Sequence, residues 1–315
     1  MAKSSGLGDN FYFGGYDLSG DVASVDTISA PINLLEATAV KQSAHARIFG
    51  QRDSAWSFTT LFENASTVVS PGVPLTTVPL TSTYNFPVLV TVIGGTVTDV
   101  TVNGVSVGSS DGTYVLPALG TITLTYSVAP TWAWIAIGTE HNALSLLSGA
   151  DQVGMYFRGT GVLGQPVACI NGKQLNYDPT RGNDGSLTLK VDIQANSYGM
   201  EWGLGLTNGL RTDIAASNGS ALDNGASTAF GAQAYYELTG IVGTSVDVVL
   251  QHSPDNSAWS TLIDFGAHTV IGSGRGFVGN VTTVNRYLRV ITTGTFTYAQ
   301  FAVMVARNQL AGVVF

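Results

Sequence analysis

Thr96-Val97-Thr98-Asp99-Val100-Thr101-Val102-Asn103-Gly104-Val105-Ser106-Val107-Gly108 is the stretch that decides the fold class. β-Branched residues alternate with polar ones on both sides of Asn103-Gly104, which puts successive side chains on opposite faces of an extended chain. Asn-Gly supplies the two positive-φ positions of a type I′ turn, so the segment reads as a β-hairpin. Outward from it lie Phe86-Pro87-Val88-Leu89-Val90-Thr91-Val92 on one side, and Asp111-Gly112-Thr113-Tyr114-Val115-Leu116 and Thr121-Ile122-Thr123-Leu124-Thr125-Tyr126 on the other. Short strands separated by turn residues predict a small β-sandwich over residues 66–131.

The same period-two pattern continues through the remainder, so the whole chain is expected to be mainly β. Helix signals are confined to Glu140–Leu147, with Thr139 as N-cap and Gly149 past the end, and to a shorter candidate after Pro31 through Ile32, Leu34 and Leu35. Residues 1–65 and 132–222 hold most of the charges and both helix candidates, and are expected to form one discontinuous domain around the 66–131 insert. The turn-forming run from Ala215 to Gly225 reads as a soft linker to a C-terminal β-sandwich over residues 226–315. Its expected strands are Gln233–Leu238, Ser245–Gln251, Trp259–Phe265, Gly276–Val281, Arg286–Ile291 and Phe301–Val305. Ser-Ala-Trp-Ser occurs at 54–57 and again at 257–260, which leaves internal repetition as an alternative.

Only 11% of the 315 residues are charged, against roughly 25% in ordinary soluble domains, while 44% are apolar. A chain with so few charges either has partners covering much of its surface or exposes Thr, Ser, Asn and Gly. A formal net charge of −8 without any basic run argues against binding nucleic acid through phosphates. The N-terminal residues show no signal-peptide pattern, no 18-residue apolar segment suggests a membrane span, and synthesis in a reducing cytoplasm is the expectation. Cys169 has no second cysteine for a disulfide and reads as a small buried apolar residue.

No constellation carries catalytic chemistry. Gly104-Val105-Ser106-Val107-Gly108 has the G-x-S-x-G spacing of a nucleophile elbow, but Ser106 lies in a hairpin arm with no helix behind it. Gly274, Gly276 and Gly279 have dinucleotide-loop spacing, yet a strand follows where a helix is needed to receive the pyrophosphate. His45, His141, His252 and His268 are scattered, and Asp17, Asp21 and Asp26 lack the loop pattern of a calcium site. Asn64-Ala65-Ser66, Asn218-Gly219-Ser220 and Asn280-Val281-Thr282 fit a glycosylation pattern that means nothing without secretion. The expectation is a protein that is not an enzyme, with no catalytic residue, cofactor or metal.

Several strings resemble the major tail (tail tube) proteins of long-tailed phages that infect actinobacteria. They are Asp17-Leu18-Ser19-Gly20-Asp21-Val22, His141-Asn142-Ala143-Leu144, Asp151-Gln152-Val153, Gln174-Leu175-Asn176-Tyr177-Asp178 and Tyr198-Gly199-Met200-Glu201-Trp202-Gly203, followed by Leu206–Asp213. Gly243-Thr244-Ser245-Val246, Gln251-His252-Ser253 and Arg286-Tyr287-Leu288-Arg289 look like that family's appended domain. The resemblance implies a β-barrel or sandwich with one short helix, assembled into hexameric rings that stack into a tube for DNA ejection. It also implies tape-measure, terminator and tip proteins as partners, and a virion location after assembly in the host cytoplasm.

An acidic chain suits such a conduit, because a negative or near-neutral bore does not hold phosphates. The insert and the C-terminal sandwich are expected to project outward, and a chain ending at Asp213 is expected still to form tubes. The competing reading is a virion sandwich that binds carbohydrate or a cell surface through Tyr235, Tyr236, Trp259 or Tyr298, unless those rings fill the core.

Overall fold

The computed structural model describes residues 8–62, 68–84, 87–109, 111–117, 119–136, 140–159 and 161–310. The expected N-cap Thr139, the strand start at Phe86 and the Asn64-Ala65-Ser66 pattern lie outside the described residues. The chain begins with β1 (Asn10–Phe13), β2 (Tyr16–Asp17), β3 (Val22–Ser29), β4 (Ile32–Glu36), β5 (Arg47–Arg52) and β6 (Ala55–Leu61). Next come β7 (Leu80–Thr81), β8 (Val88–Ile93), β9 (Thr96–Val102), β10 (Val105–Gly108), β11 (Gly112–Leu116), β12 (Thr121–Val128) and β13 (Thr131–Ala136). After α1 (Glu140–Leu144) follow β14 (Gln152–Phe157), β15 (Pro166–Gln174), β16 (Asp178–Arg181), β17 (Leu187–Ala195), β18 (Glu201–Gly205) and β19 (Arg211–Asp213). The chain closes with β20 (Leu222–Asp223), β21 (Ala232–Ser253), β22 (Ser260–His268), β23 (Gly272–Val278) and β24 (Tyr287–Arg307). The architecture is therefore mainly β, in sandwiched sheets.

The insert follows its sequence pattern closely. A four-stranded sheet, β10-β9-β12-β7, packs on a three-stranded one, β11-β8-β13. Asn103 (φ 49°) and Gly104 (φ 79°) make the expected left-handed turn. Val88, Val90, Val100, Ile122, Leu124 and Trp134 fill a core of the insert's own. One boundary is corrected: Thr131–Ala136 pairs with Val88–Ile93 and Trp134 sits in that core, so the insert ends at Ala136 and not at 131.

The second correction is at Pro31. Ile32, Leu34 and Leu35 form a strand and not a helical turn, because Arg47–Arg52 offers an antiparallel partner: Leu34 pairs with Phe49 and Leu35 with Ile48. The helix at 140 is real but ends at Leu144.

Around the insert runs a 15-stranded sheet. Its strands β14 and β15 are buried on both faces, which explains the unbroken apolar run Val167-Ala168-Cys169-Ile170. On one face Ala168 and Ile170 join Phe11, Phe13, Trp56, Phe58 and Val191. On the other, Val167 and Cys169 join Met155, Phe157, Tyr235, Ala302 and Met304. The barrel implied by the resemblance does not close. Among the described residues β3 pairs only with β6, and a cavity of about 250 Å³ lined by Phe11, Ser19, Val22, Val25 and Tyr156 fills the gap beside β1.

The C-terminal region is joined to this sheet more tightly than a soft linker allows. β24 pairs with β18 through Leu204↔Val305 and Gly205↔Met304, and with β19 through Arg211↔Phe301. The supposed linker is itself stitched to β24, by the Leu222↔Leu288 pair and a bridge from Asn218 to Ile291. The strands expected at 233–238 and 245–251 are one strand of 22 residues, and those at 286–291 and 301–305 merge into one of 21. Gly243 and Gly294 are bends within these long strands. Each has positive φ, and an added Cβ would lie 2.3 Å from Phe296 Cα and 2.4 Å from the Ser245 carbonyl oxygen, respectively. Ser-Ala-Trp-Ser does not mark a repeat either, since Trp56 is buried in β6 while Trp259 is half-exposed in the turn before β22.

Candidate functional site

The residues with catalytic-looking spacing have structural duties. Ser106 is exposed, in the second arm of the hairpin, and its hydroxyl donates to Asp99 Oδ1 at 2.5 Å. Gly274 and Gly276 lie in β23 beneath larger side chains: an added Cβ would come within 2.8 Å of the Tyr236 ring and 2.5 Å of Ile263 Cγ2. The G-x-G spacing is thus a packing requirement. His45 faces Glu36 at 3.2 Å, His141 contacts the Tyr177 hydroxyl at 2.6 Å, and His252 accepts from the Asn285 amide at 3.2 Å. His268 stacks against Tyr236, and its partial burial lowers its pKa. Asp17 accepts from the Ser19 amide and hydroxyl, whereas Asp26 accepts from Ser24 and Thr59. No group of His, Cys, Asp or Glu among the described residues is placed to hold a metal, and no described helix is long and apolar enough to cross a membrane.

The aromatics expected at a glycan surface are mostly core. Tyr235, Tyr236 and Tyr298 are buried, and the Trp259 ring carries the Arg289 guanidinium 4.1 Å above it. Trp202, which alternation alone left unassigned, is the tryptophan that is most open, at 51% exposure.

The most distinctive surface is the β4–β5 arm. Cross-strand partners share a face, so Leu34 and Phe49 occupy one side and Leu35 and Ile48 the other. All four are exposed, Phe49 to 77% and Leu34 to 57%. Neither face packs on the body, and the arm forms a sheet of its own. An isolated two-stranded hairpin is marginal in water, so a ribbon apolar on both sides calls for a partner.

The root of the arm is fixed. The Asp53 amide donates to the Pro31 carbonyl at 3.1 Å, Gln194 donates to Asp53, and Arg52 pairs with Glu201. The Arg52 stem lies so close over Gly199 that a Cβ there would meet its Cδ at 2.7 Å. Beside the root is a cleft of about 430 Å³ between Gly50–Arg52 and Ser197–Gly199. Sequence reading missed the arm because it assigned its first strand to a helix.

No family model and no curated protein matches the chain. A search of solved structures finds, among others, the Dit protein (gp 19.1) of SPP1, described as a paradigm of the hub adsorption apparatus in phages infecting Gram-positive bacteria. That match has 9% identity and a TM-score of 0.29, over 95% of this chain and 99% of the other.

Proposed function

We propose that the chain is a structural, non-enzymatic virion protein of a bacteriophage tail that self-assembles into stacked rings, hexameric as the resemblance implies, forming the tube through which DNA is ejected. The observation that carries this reading is the β4–β5 arm, rooted rigidly in the sheet yet apolar on both faces. In an assembly of identical copies such an arm lies on the next subunit and buries both faces there. Among the described residues β3 and β16 each have an open edge, which supports the same reading, since an unpaired edge pairs with a neighbouring chain or aggregates.

The net charge of −8 supports a bore that DNA crosses without specific binding. Tape-measure, terminator and tip proteins are the further partners on this reading, and the virion is the location. Electron microscopy of the purified full chain, with sedimentation velocity alongside, tests it. Rings or hollow tubes are the expected result. Dispersed monomers at all concentrations, or tubes whose bore is ringed by Lys and Arg, refute it.

A further inference from the structure

A second surface lies on the seam between β18 and β24. Leu204 pairs with Val305, so Trp202 and Arg307, two residues along their strands, project from that same face. β18 is an interior strand, flanked by β15 and β24, which holds the backbone under Trp202 rigid while its ring stays open. The ring borders a pocket of about 290 Å³ that also has Pro166, Leu204, Asn224, Arg307 and Gln309 in its wall. That size is near the lower limit of ordinary small-molecule sites.

The polar groups of the pocket are held in place and incompletely used. Asn224 donates through Nδ2 to the Arg286 carbonyl at 3.0 Å, while its Oδ1 is buried without a partner. Arg307 donates through Nη1 to the Ala226 carbonyl at 2.9 Å and forms no ion pair among the described residues. Partial burial lowers its pKa from the usual arginine value.

We infer that this pocket binds an anionic sugar residue: the apolar face of a pyranose ring stacks on Trp202, and the carboxylate or phosphate substituent meets Arg307. An open aromatic face and a guanidinium without an ion pair within one small concavity match that chemistry, whereas a protein surface would need a broader apolar patch. The site stands independently of the assembly reading.

The test is calorimetric titration and saturation-transfer NMR of the full soluble chain with methyl glucuronide, glucose 6-phosphate, methyl glucoside and inorganic phosphate. The acidic sugars should bind more tightly than methyl glucoside, and whichever binds better identifies the substituent. Trp202→Ala, which truncates an exposed side chain, should weaken every sugar by about tenfold or more. Arg307→Gln should abolish the preference for acidic over neutral sugar. Inorganic phosphate binding as well as the sugars, sugar binding unaffected by Trp202→Ala, or no binding by the wild type overturns the proposal. So does a Trp202→Ala chain whose only defect is in self-association, since that would make the face a subunit contact.

Discussion

Replacing both Phe49 and Leu34 with Ser strips one face of the β4–β5 arm. Full burial of such a side chain is worth about 1.5–3 kcal/mol. With Phe49 77% and Leu34 57% open in the single chain, burying the remainder on a neighbour contributes about 2–4 kcal/mol per arm. That corresponds to a loss of roughly thirtyfold to several hundredfold in the association constant for each contact, enough to move assembly beyond ordinary working concentrations. The folded monomer should hardly notice, because changes to exposed side chains stay within about 0.5 kcal/mol. Sedimentation velocity across a concentration series reads the first effect, and thermal melting followed by circular dichroism reads the second. Unchanged assembly would refute the assignment of the arm as the contact. A melting temperature lowered by many degrees would show instead that the arm packs against its own chain.

Asp213 is buried, takes a bidentate ion pair from Arg211 at 2.7–2.8 Å and accepts from Thr292 at 2.6 Å; Asp213→Ala should cost about 3–5 kcal/mol in urea denaturation, and a loss under about 1 would show that the knot is decorative. Glu237 is fully buried and accepts from the Gly15 amide at 2.6 Å; burial raises its pKa well above the usual glutamate value, so between the usual and the raised value it is protonated in the folded chain and ionised in the unfolded one. Stability is therefore fully present below the ordinary glutamate pKa of about 4.3 and falls as pH climbs toward the raised folded value, whereas Glu237→Gln is indifferent to pH. The gain of the Gln variant over wild type should widen with pH in that window, and wild-type stability that rises there relative to the variant contradicts the assignment. Deleting residues 63–139 behind a short Gly-Ser bridge should leave the rest folded, because the Phe62 and His141 rings flanking the insert are only 5.4 Å apart; loss of cooperative melting would show otherwise.

The insert was legible in sequence because its strands are half-buried: alternation survives wherever one face meets a core and the other meets water. The bent β21–β24 ribbon was not. Glycine reads as a break in one dimension, but Gly243 and Gly294 sit where the two long strands press together at a bend, and only the partner strand reveals that. The arm failed for a different reason. Ile32, Leu34 and Leu35 have spacing compatible with either a helical face or a ribbon apolar on both sides, and the choice is made by Phe49 and Ile48, more than a dozen residues away. Trp202 lay inside a string noticed only for its resemblance, and nothing local to β18 shows that Asn224 and Arg307 come beside it.

The pairing of β24 also decides where the molecule can be divided. A unit is separable when its core closes on itself, and the insert satisfies this, with Val88, Val100, Ile122 and Trp134 all contributed from within it. The C-terminal region does so on one face only, where Leu238, Val248, Leu250, Leu288 and Phe301 pack together. Its other face supplies Tyr235, Ala302 and Met304 as the cover over Met155, Phe157 and Cys169. A chain ending at Asp213 would expose those residues and strip β18 of its β24 neighbour. The lost burial, about 1.5–3 kcal/mol for each large apolar side chain, rivals the 5–15 kcal/mol that holds an ordinary domain together. Such a chain should aggregate, contrary to what the soft-linker reading of 215–225 implied. Any line between an assembling body and a peripheral attachment therefore falls at the insert, and the β21–β24 ribbon belongs to the body.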